Sequence, residues 1–208
     1  MKQIIFLIGK FCSYLFPQRL CGIIKSITTR FFTGYKARYF NTLGKGSTLG
    51  NHTTYIGEQY ISIGVESHIG DYGRLTAYSY YPKTEQHFTP QIIIRDHCSI
   101  GDQCHITAIN SITIGNGVLT GPRVLITDNG HGTTDITDTD IAPRHRELTS
   151  TGPIVVEDNV WIGEGAMIMP NVHIGKGCII AANSVVTKSI PAYCVVAGSP
   201  AKIIKQIK

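Results

Sequence analysis

The first 57 residues contain no aspartate or glutamate, yet they carry eight basic residues: Lys2, Lys10, Arg19, Lys25, Arg30, Lys36, Arg38 and Lys45. The formal charge of +5 therefore belongs to one end of the chain, leaving 11 basic against 14 acidic residues elsewhere. Confined to an arm and without an aromatic-basic recognition motif, this charge does not argue for nucleic acid. Charge is scarce overall, at 16% of residues, which speaks against helices laced with ion pairs. The six cysteines, Cys12, Cys21, Cys98, Cys104, Cys178 and Cys194, form no CxxC pair and show no metal-ligand spacing. Neither a disulfide scaffold nor a bound metal is expected, and reduced thiols in a cytoplasmic setting are the plain reading. An apolar run long enough to cross a bilayer is missing too. Lys10 interrupts the run that starts at Ile4, and no small-residue cleavage site of a secretory signal follows.

What the arm does contain is apolar: Ile4, Ile5, Phe6, Leu7, Ile8, Phe11, Leu15 and Phe16. Residues 1–45 read as an arm of two short helices broken near Pro17. Two readings of it stand: packing on a neighbouring surface, or peripheral contact with an anionic membrane, which would be the inner face of a cell membrane.

The remaining residues are glycine-rich, with 22 glycines in 208 residues, and they repeat. Val156, Ile162, Ile168, Ile174, Ile180 and Val186 are aliphatic at a strict period of six. Four residues after each stand Val160, Ala166, Val172, Cys178, Ser184 and Ile190, mostly small or aliphatic. A period of six keeps no fixed face on an α-helix but suits a short strand plus a corner, where glycine or asparagine turns the chain at little steric cost. Three hexads close a triangular coil, so Val156 should stack over Ile174 and Ile162 over Ile180, each coil burying its apolar face against the next. The same pattern recurs upstream at Ile63, Ile69 and Leu75, at Ile94, Ile100 and Ile106, and at Ile114, Thr120 and Ile126. The expected architecture is all-β: a parallel β-helix over residues 46–193, with a short helical arm before it. A tail over 194–208 follows, in which Ser199-Pro200 reads as the cap and first turn of a short helix ending at Lys208.

Two stretches break the repeat, 76–93 and 127–153. The first carries Tyr78, Tyr80, Tyr81, His87 and Phe88; the second carries Asp128, Asn129, His131, three further aspartates and Arg144-His145-Arg146. Polar, aromatic loops of this length on a rigid scaffold are where chemistry is expected.

Four segments between residues 94 and 208 resemble the hexapeptide-repeat acyltransferases, in particular the maltose, galactoside and polysaccharide O-acetyltransferase branch. They are Ile112-Thr-Ile-Gly-Asn116, Ile126-Thr-Asp-Asn-Gly-His131-Gly132, Val160-Trp-Ile-Gly163, and Val185-Val-Thr-Lys188 followed by Ala197-Gly-Ser-Pro-Ala-Lys202. The resemblance implies a left-handed parallel β-helix, a homotrimer with active sites between subunits, and acetyl-CoA as cosubstrate without a tightly bound cofactor. It also implies a catalytic histidine at the start of the second loop, which is His131. A hydroxyl is a poor nucleophile until a base takes its proton during attack, and imidazole suits that task and can hand the proton to the leaving thiolate. Asp128 and Asn129 stand close enough in sequence to orient the His131 ring or bind an acceptor hydroxyl; turn formation accounts for them equally well. The positions carried over for coenzyme A are Trp161, Gly163, Glu164, Ala166, Ala182, Thr187 and Lys188, with Lys202 and Lys205 set to meet the nucleotide phosphates. Trp161 is open to two readings, a cover for the thioester or subunit packing.

Two departures from the family pattern stand out, the first on the cofactor side and the second on the acceptor side. Lys202 stands where several similar enzymes carry arginine. Ile100-Gly101-Asp102-Gln103-Cys104 lacks the sugar-binding asparagine of the maltose and galactoside enzymes. A larger glycan held by the aromatic loop fits better than a free sugar. The function expected is O-acetylation of a sugar hydroxyl on a surface polysaccharide or its precursor. Rival readings are N-acetylation of an amino sugar, transfer of a larger acyl group, a zinc lyase on the same scaffold, and a non-catalytic binding or assembly protein. The zinc lyase is disfavoured because His97 and His105 stand eight apart, whereas six and eighteen relate faces and coils.

Overall fold

The computed structural model describes residues 1–133 and 136–208. Two helices, α1 (Lys2–Leu15) and α2 (Gln18–Ala37), precede a parallel β-helix with three faces. The first face stacks Thr42–Leu43, Ile61–Ile63, Gln91–Ile94, Ser111–Ile114, Ile154–Val156 and His173–Ile174. The second runs from His68–Ile69 through Ser99–Ile100, Leu119–Thr120, Trp161–Ile162 and Ile179–Ile180 to Cys194–Gly198 and Ala201–Gln206. The third stacks Thr54–Ile56, Arg74–Ala77, His105–Ala108, Leu125–Thr127, Met167–Ile168 and Val185–Val186. Val156 pairs with Ile174 and Ile162 with Ile180, as the period of six requires.

The period is visible in the burial. Val156, Ile162, Ile168, Ile174, Ile180 and Val186 are at most 1% exposed, and Val160, Ala166, Val172, Cys178 and Ser184 fill the corners between them. Thr120 is the polar member of the upstream aliphatic triplets, and its hydroxyl accepts a hydrogen bond from the Gly101 amide at 2.9 Å, which compensates its burial. Followed down the third face, Thr54, Arg74, His105, Leu125, Met167 and Val185 are partners in successive coils, at steps of 20, 31, 20, 42 and 18 residues. The extra residues of the long steps leave the same edge each time, between the third face and the first.

Corners are tight. Asn159, Gly165, Asn171, Gly177 and Asn183, six apart, all sit at φ between +57° and +67°. Upstream the left-handed conformation is held by Gly46 and Gly117 but also by His52, Glu66, Tyr72, His97, Gln103 and Arg123, of which the Glu, Tyr, Gln and Arg types seldom adopt it. Between the second and third faces the coils approach so closely that side chains are excluded. A methyl added to Gly101 would lie 2.5 Å from the Gly121 carbonyl oxygen, and one on Gly70 would lie 2.5 Å from the Gly101 carbonyl carbon.

The C-terminal helix expected after Ser199 is not formed. Gly198, at φ +103°, turns the chain, and Ala201–Gln206 returns as a strand antiparallel to Cys194–Gly198. The physical reason is the open edge of the last coil: a returning strand satisfies its backbone groups, whereas an eight-residue helix would leave them bare and is too short to persist alone. The strand is bulged at Val195/Val196, so Lys202 opposes Ala197 and Lys205 opposes Val195. Both lysines thus share the outer surface, through a bulge and not through helical spacing.

Gly101→Ala is expected to cost about 1–3 kcal/mol or more through overpacking. Gly22→Ala, in open space on α2, is expected to be neutral or to stabilise by up to about 1 kcal/mol. Thermal denaturation of both variants beside the parent checks the contrast, and a Gly101→Ala protein that melts with the parent would refute the close approach.

Candidate active site

Three consecutive coils build the site at the edge between the third and first faces. In one coil the edge is extended by residues 78–90, in the next it is the short turn Ile109-Asn110, and in the one after it is extended by residues 128–153. The two long loops therefore emerge on either side of a short corner. Thr134 and Asp135, part of the expected loop, lie outside the described residues.

Asp128 fixes the middle of this arrangement. It is fully buried, and its two carboxylate oxygens accept from the Ile109 amide at 2.9 Å and the Asn110 amide at 3.0 Å. Asn129 donates from its side-chain amide to the Thr107 carbonyl and to Asp128. The contacts thus follow the turn-forming reading of these two residues. Asp128, having no exposed surface, cannot meet an acceptor and acts on the corner instead.

His131 follows directly and is exposed. Gly130–His131 forms a two-stranded antiparallel ribbon with Leu148–Thr149, and His131 opposes Leu148. The ribbon is extended by the Gly132 amide donating to the Glu147 carbonyl and the Thr149 hydroxyl donating to the Gly132 carbonyl, both at 2.7 Å. Farther along the loop, the Thr133 amide and hydroxyl both donate to Asp138 and hold its carboxyl below the ordinary carboxylate range.

The first loop reaches across to the second. Gln86 brackets Leu148, accepting from its amide at 2.7 Å and donating to its carbonyl at 3.1 Å. Tyr81 donates its hydroxyl to the Arg144 carbonyl at 2.7 Å and sets its ring edge-on to the His131 ring, 5.8 Å between centroids. Tyr80 packs on His87 at 4.9 Å. Beneath lies a cleft of about 420 Å³ bounded by His87, Phe88, Asn110, Leu148 and Ser150. The roles of Tyr81 and Gln86 were not singled out from the sequence. Their signal was there in principle, since both loops follow the third aliphatic of a triplet, Leu75 and Ile126, and so must leave the same edge.

The positions carried over for coenzyme A fall into groups. Thr187 and Lys188 are exposed on the His131 edge, after Val185–Val186. Gly163, Glu164 and Ala182 line the opposite edge of the third face, where a methyl on Gly163 would meet the Ala182 amide and Glu164 is paired with Arg123. The Ala166 side chain is fully buried in the core. Trp161, 51% exposed, lies on the outer surface of the second face, in a row with Ile179, Val195 and Lys205. A single chain thus unites Thr187 and Lys188 with the edge of His131, and Trp161 with Lys202 and Lys205, while the third face separates the two groups. Among the described residues no three of His, Cys, Asp or Glu come close enough to hold a metal ion.

Residues 153–188 match the family described as bacterial transferase hexapeptide (six repeats). Among relatives, WbbJ of Escherichia coli K12, named for O-acetyl transfer in lipopolysaccharide biosynthesis, is 41% identical over 119 residues, which is 55% of this chain and 60% of WbbJ. The galactoside O-acetyltransferase of the same organism is 39% identical over 102 residues, 47% of this chain and 45% of that one. The chain thus spans about half the length of the curated relatives it matches. In fold it is similar to AntD, an N-acyltransferase of Bacillus cereus solved with dTDP and 3-hydroxybutyryl-CoA. The TM-score is 0.68 at 21% identity, over 84% of this chain and 87% of AntD. The resemblance to hexapeptide-repeat acyltransferases of the O-acetyltransferase branch is therefore present.

Replacing Asp128 with Ala strands two amides that it serves, of which the Ile109 amide is buried. A loss of about 1.5–3 kcal/mol is expected, with faster hydrogen exchange at the Ile109 and Asn110 amides. Unchanged exchange at both would show that the corner holds without the carboxylate.

Proposed function

We propose that the chain is a CoA-dependent O-acetyltransferase that acts on a sugar hydroxyl of a surface polysaccharide or its precursor, with His131 as general base. The observation that carries this reading is the exposed His131 imidazole, held by a strand ribbon and the edge of Tyr81, with its ribbon partner Leu148 lining a cleft walled by the aromatic loop. Rings such as Tyr80 and Phe88 offer flat apolar surface of the kind that stacks on sugars, and the loop is long enough to serve a glycan larger than a free sugar. The matched relatives act, by name, on galactosides and in lipopolysaccharide biosynthesis, which supports the acceptor class.

The reaction follows from proximity and proton transfer. As the acceptor oxygen attacks the thioester carbonyl, its proton passes to the His131 imidazole, and a carbon–oxygen bond forms. The tetrahedral adduct then collapses, the carbon–sulfur bond breaks, and the imidazolium returns the proton to the coenzyme A sulfur. Atoms and charge balance without a covalent enzyme intermediate. The buried thiols are unsuited to act as nucleophiles, since burial pushes Cys98, Cys104 and Cys178 above the ordinary thiol range.

Lys202 and Lys205 on the outer surface of the second face are suited to coenzyme A phosphates as point charges. In this reading Thr187 and Lys188, exposed on the His131 edge, face the thioester arm. Because the third face stands between these groups in one chain, the reading includes a homotrimer. In it, the second face and C-terminal strands of one copy close on the His131 edge of another. The left-handed winding expected of the family belongs to the same proposal.

His131→Ala is expected to lower acetyl transfer by about 10²–10⁴-fold, the usual contribution of a general base, while leaving acetyl-CoA affinity nearly unchanged. Transfer is followed by thiol release, and the product by mass spectrometry with and without hydroxylamine, which cleaves an ester and spares an amide. Full turnover by the variant would end the assignment of His131, and a hydroxylamine-stable product would replace O- with N-acetylation.

A further inference from the structure

Helix α2 is docked the opposite way round from a helix of a globular core. Its contacts with the β-helix are polar: the Thr33 hydroxyl accepts from the Leu49 amide at 2.9 Å, and Thr29 accepts from the Asn51 side chain at 2.8 Å. Lys25 pairs with Asp71 at 2.7 Å and Lys36 with Glu58 at 3.0 Å. Phe32 alone of its large apolar residues packs against the core. At 100° per residue the opposite side of the helix carries Leu20, Ile23, Ile24, Ile27, Phe31 and Tyr35, and all six face outward, Ile27 at 62% and Phe31 at 77% exposure.

Helix α1 adds further exposed apolar residues. Ile4, Ile5, Leu7, Ile8, Phe11 and Tyr14 form one exposed side of it, and Lys2, Lys10 and Ser13 lie on the other together with the exposed Phe6. An apolar surface made by two helices is far more than a monomer in water leaves uncovered without a partner. Lys2, Lys10, Arg19 and Arg30 make no ion pair among the described residues, and no acid occurs anywhere in the arm to neutralise them.

From this we infer that α1 and α2 form an interfacial anchor that lies in the headgroup layer of an anionic bilayer. The apolar sides enter the acyl boundary and the four free cations meet lipid phosphates. A second copy is the poorer occupant. Packing two such arms face to face would cover the apolar sides yet leave the cations of both arms without an acidic partner, since neither arm carries an acid. Spanning is disfavoured as well. No single helix is long and apolar enough to cross a membrane, though the pair, bent by 75°, would suffice by length and composition. The polar side of α2 is bonded to the β-helix, which holds it at the surface. The inference stands whether or not the acyl-transfer reading does.

The test uses the full chain and vesicles of phosphatidylglycerol and phosphatidylethanolamine, beside vesicles of phosphatidylcholine alone. Cys12 and Cys21 are exposed and the other four cysteines buried, so in a Cys21→Ser background Cys12 accepts a polarity-sensitive fluorophore with no engineered site. Flotation with the anionic vesicles is expected, with a blue shift of the Cys12 probe. Binding should weaken several-fold between about 0.1 M and about 0.5 M salt, as screening of the cations requires. Ile27→Glu with Phe31→Glu, both already exposed and so harmless to the fold, should reduce binding tenfold or more while leaving the melting temperature unchanged. Three results would overturn the inference. One is no flotation with either vesicle. Another is a probe that is already blue-shifted without lipid and returns to water only when a concentrated oligomer is diluted, which assigns the surface to a second copy. The third is retention in the vesicles through alkaline carbonate extraction, which assigns the helix pair to a bent span.

Discussion

Every part of this molecule depends on keeping successive coils one strand spacing apart, about 4.8 Å. Parallel hydrogen bonds set that distance along three faces, and the inward aliphatic columns fill the prism they enclose. The distance is tolerable only because Gly50, Gly70, Gly101 and Gly121 stack at one edge, where a side chain would meet the backbone of the next coil. Given that spacing, any residue's place along the axis follows from its coil, and its face follows from its position within the hexad. The scaffold thus converts sequence order into position with little freedom, which is what a site assembled from separate loops requires.

The loops use this rigidity. Since both leave the edge between the third and first faces, residues more than sixty apart in sequence, Gln86 and Leu148 or Tyr81 and Arg144, meet without strain on the scaffold. Asp128 does the quieter work of closing the short corner between them with two charge-assisted bonds. His131 gains its orientation from neighbours in both loops, so the site is a property of the edge and not of one loop. The arm obeys a different logic. Its polar side is turned inward and its apolar side outward, an inversion that makes physical sense when the outer medium is apolar too.

Much of the fold was legible because the hexad is a strong and regular signal. Asn159, Asn171 and Asn183 announce the left-handed φ of each corner, whereas upstream the same conformation is held by Glu66, Tyr72 and Gln103, where no local preference gives it away. The strand pairs that hold those corners override the propensity of the residue in them. The C-terminal segment misled for a related reason. Ser199-Pro200 is a reasonable helix start taken alone, but the unpaired edge of Cys194–Gly198 offered backbone partners that a short helix could not match.

By itself the sequence determined the period, the inward columns, the coil count between 156 and 190 and the two loops. These are local or periodic properties, written in residues whose neighbours are fixed by spacing alone. Only the tertiary structure decided that Asp128 serves the backbone, that Tyr81 lies against His131, and that Lys202 and Lys205 share a face through a bulged strand. It likewise decided which side of α2 is turned to the β-helix. Such contacts join segments whose separation carries no period, and they are chosen by competition among backbone and side-chain partners that exist only once the coils have stacked.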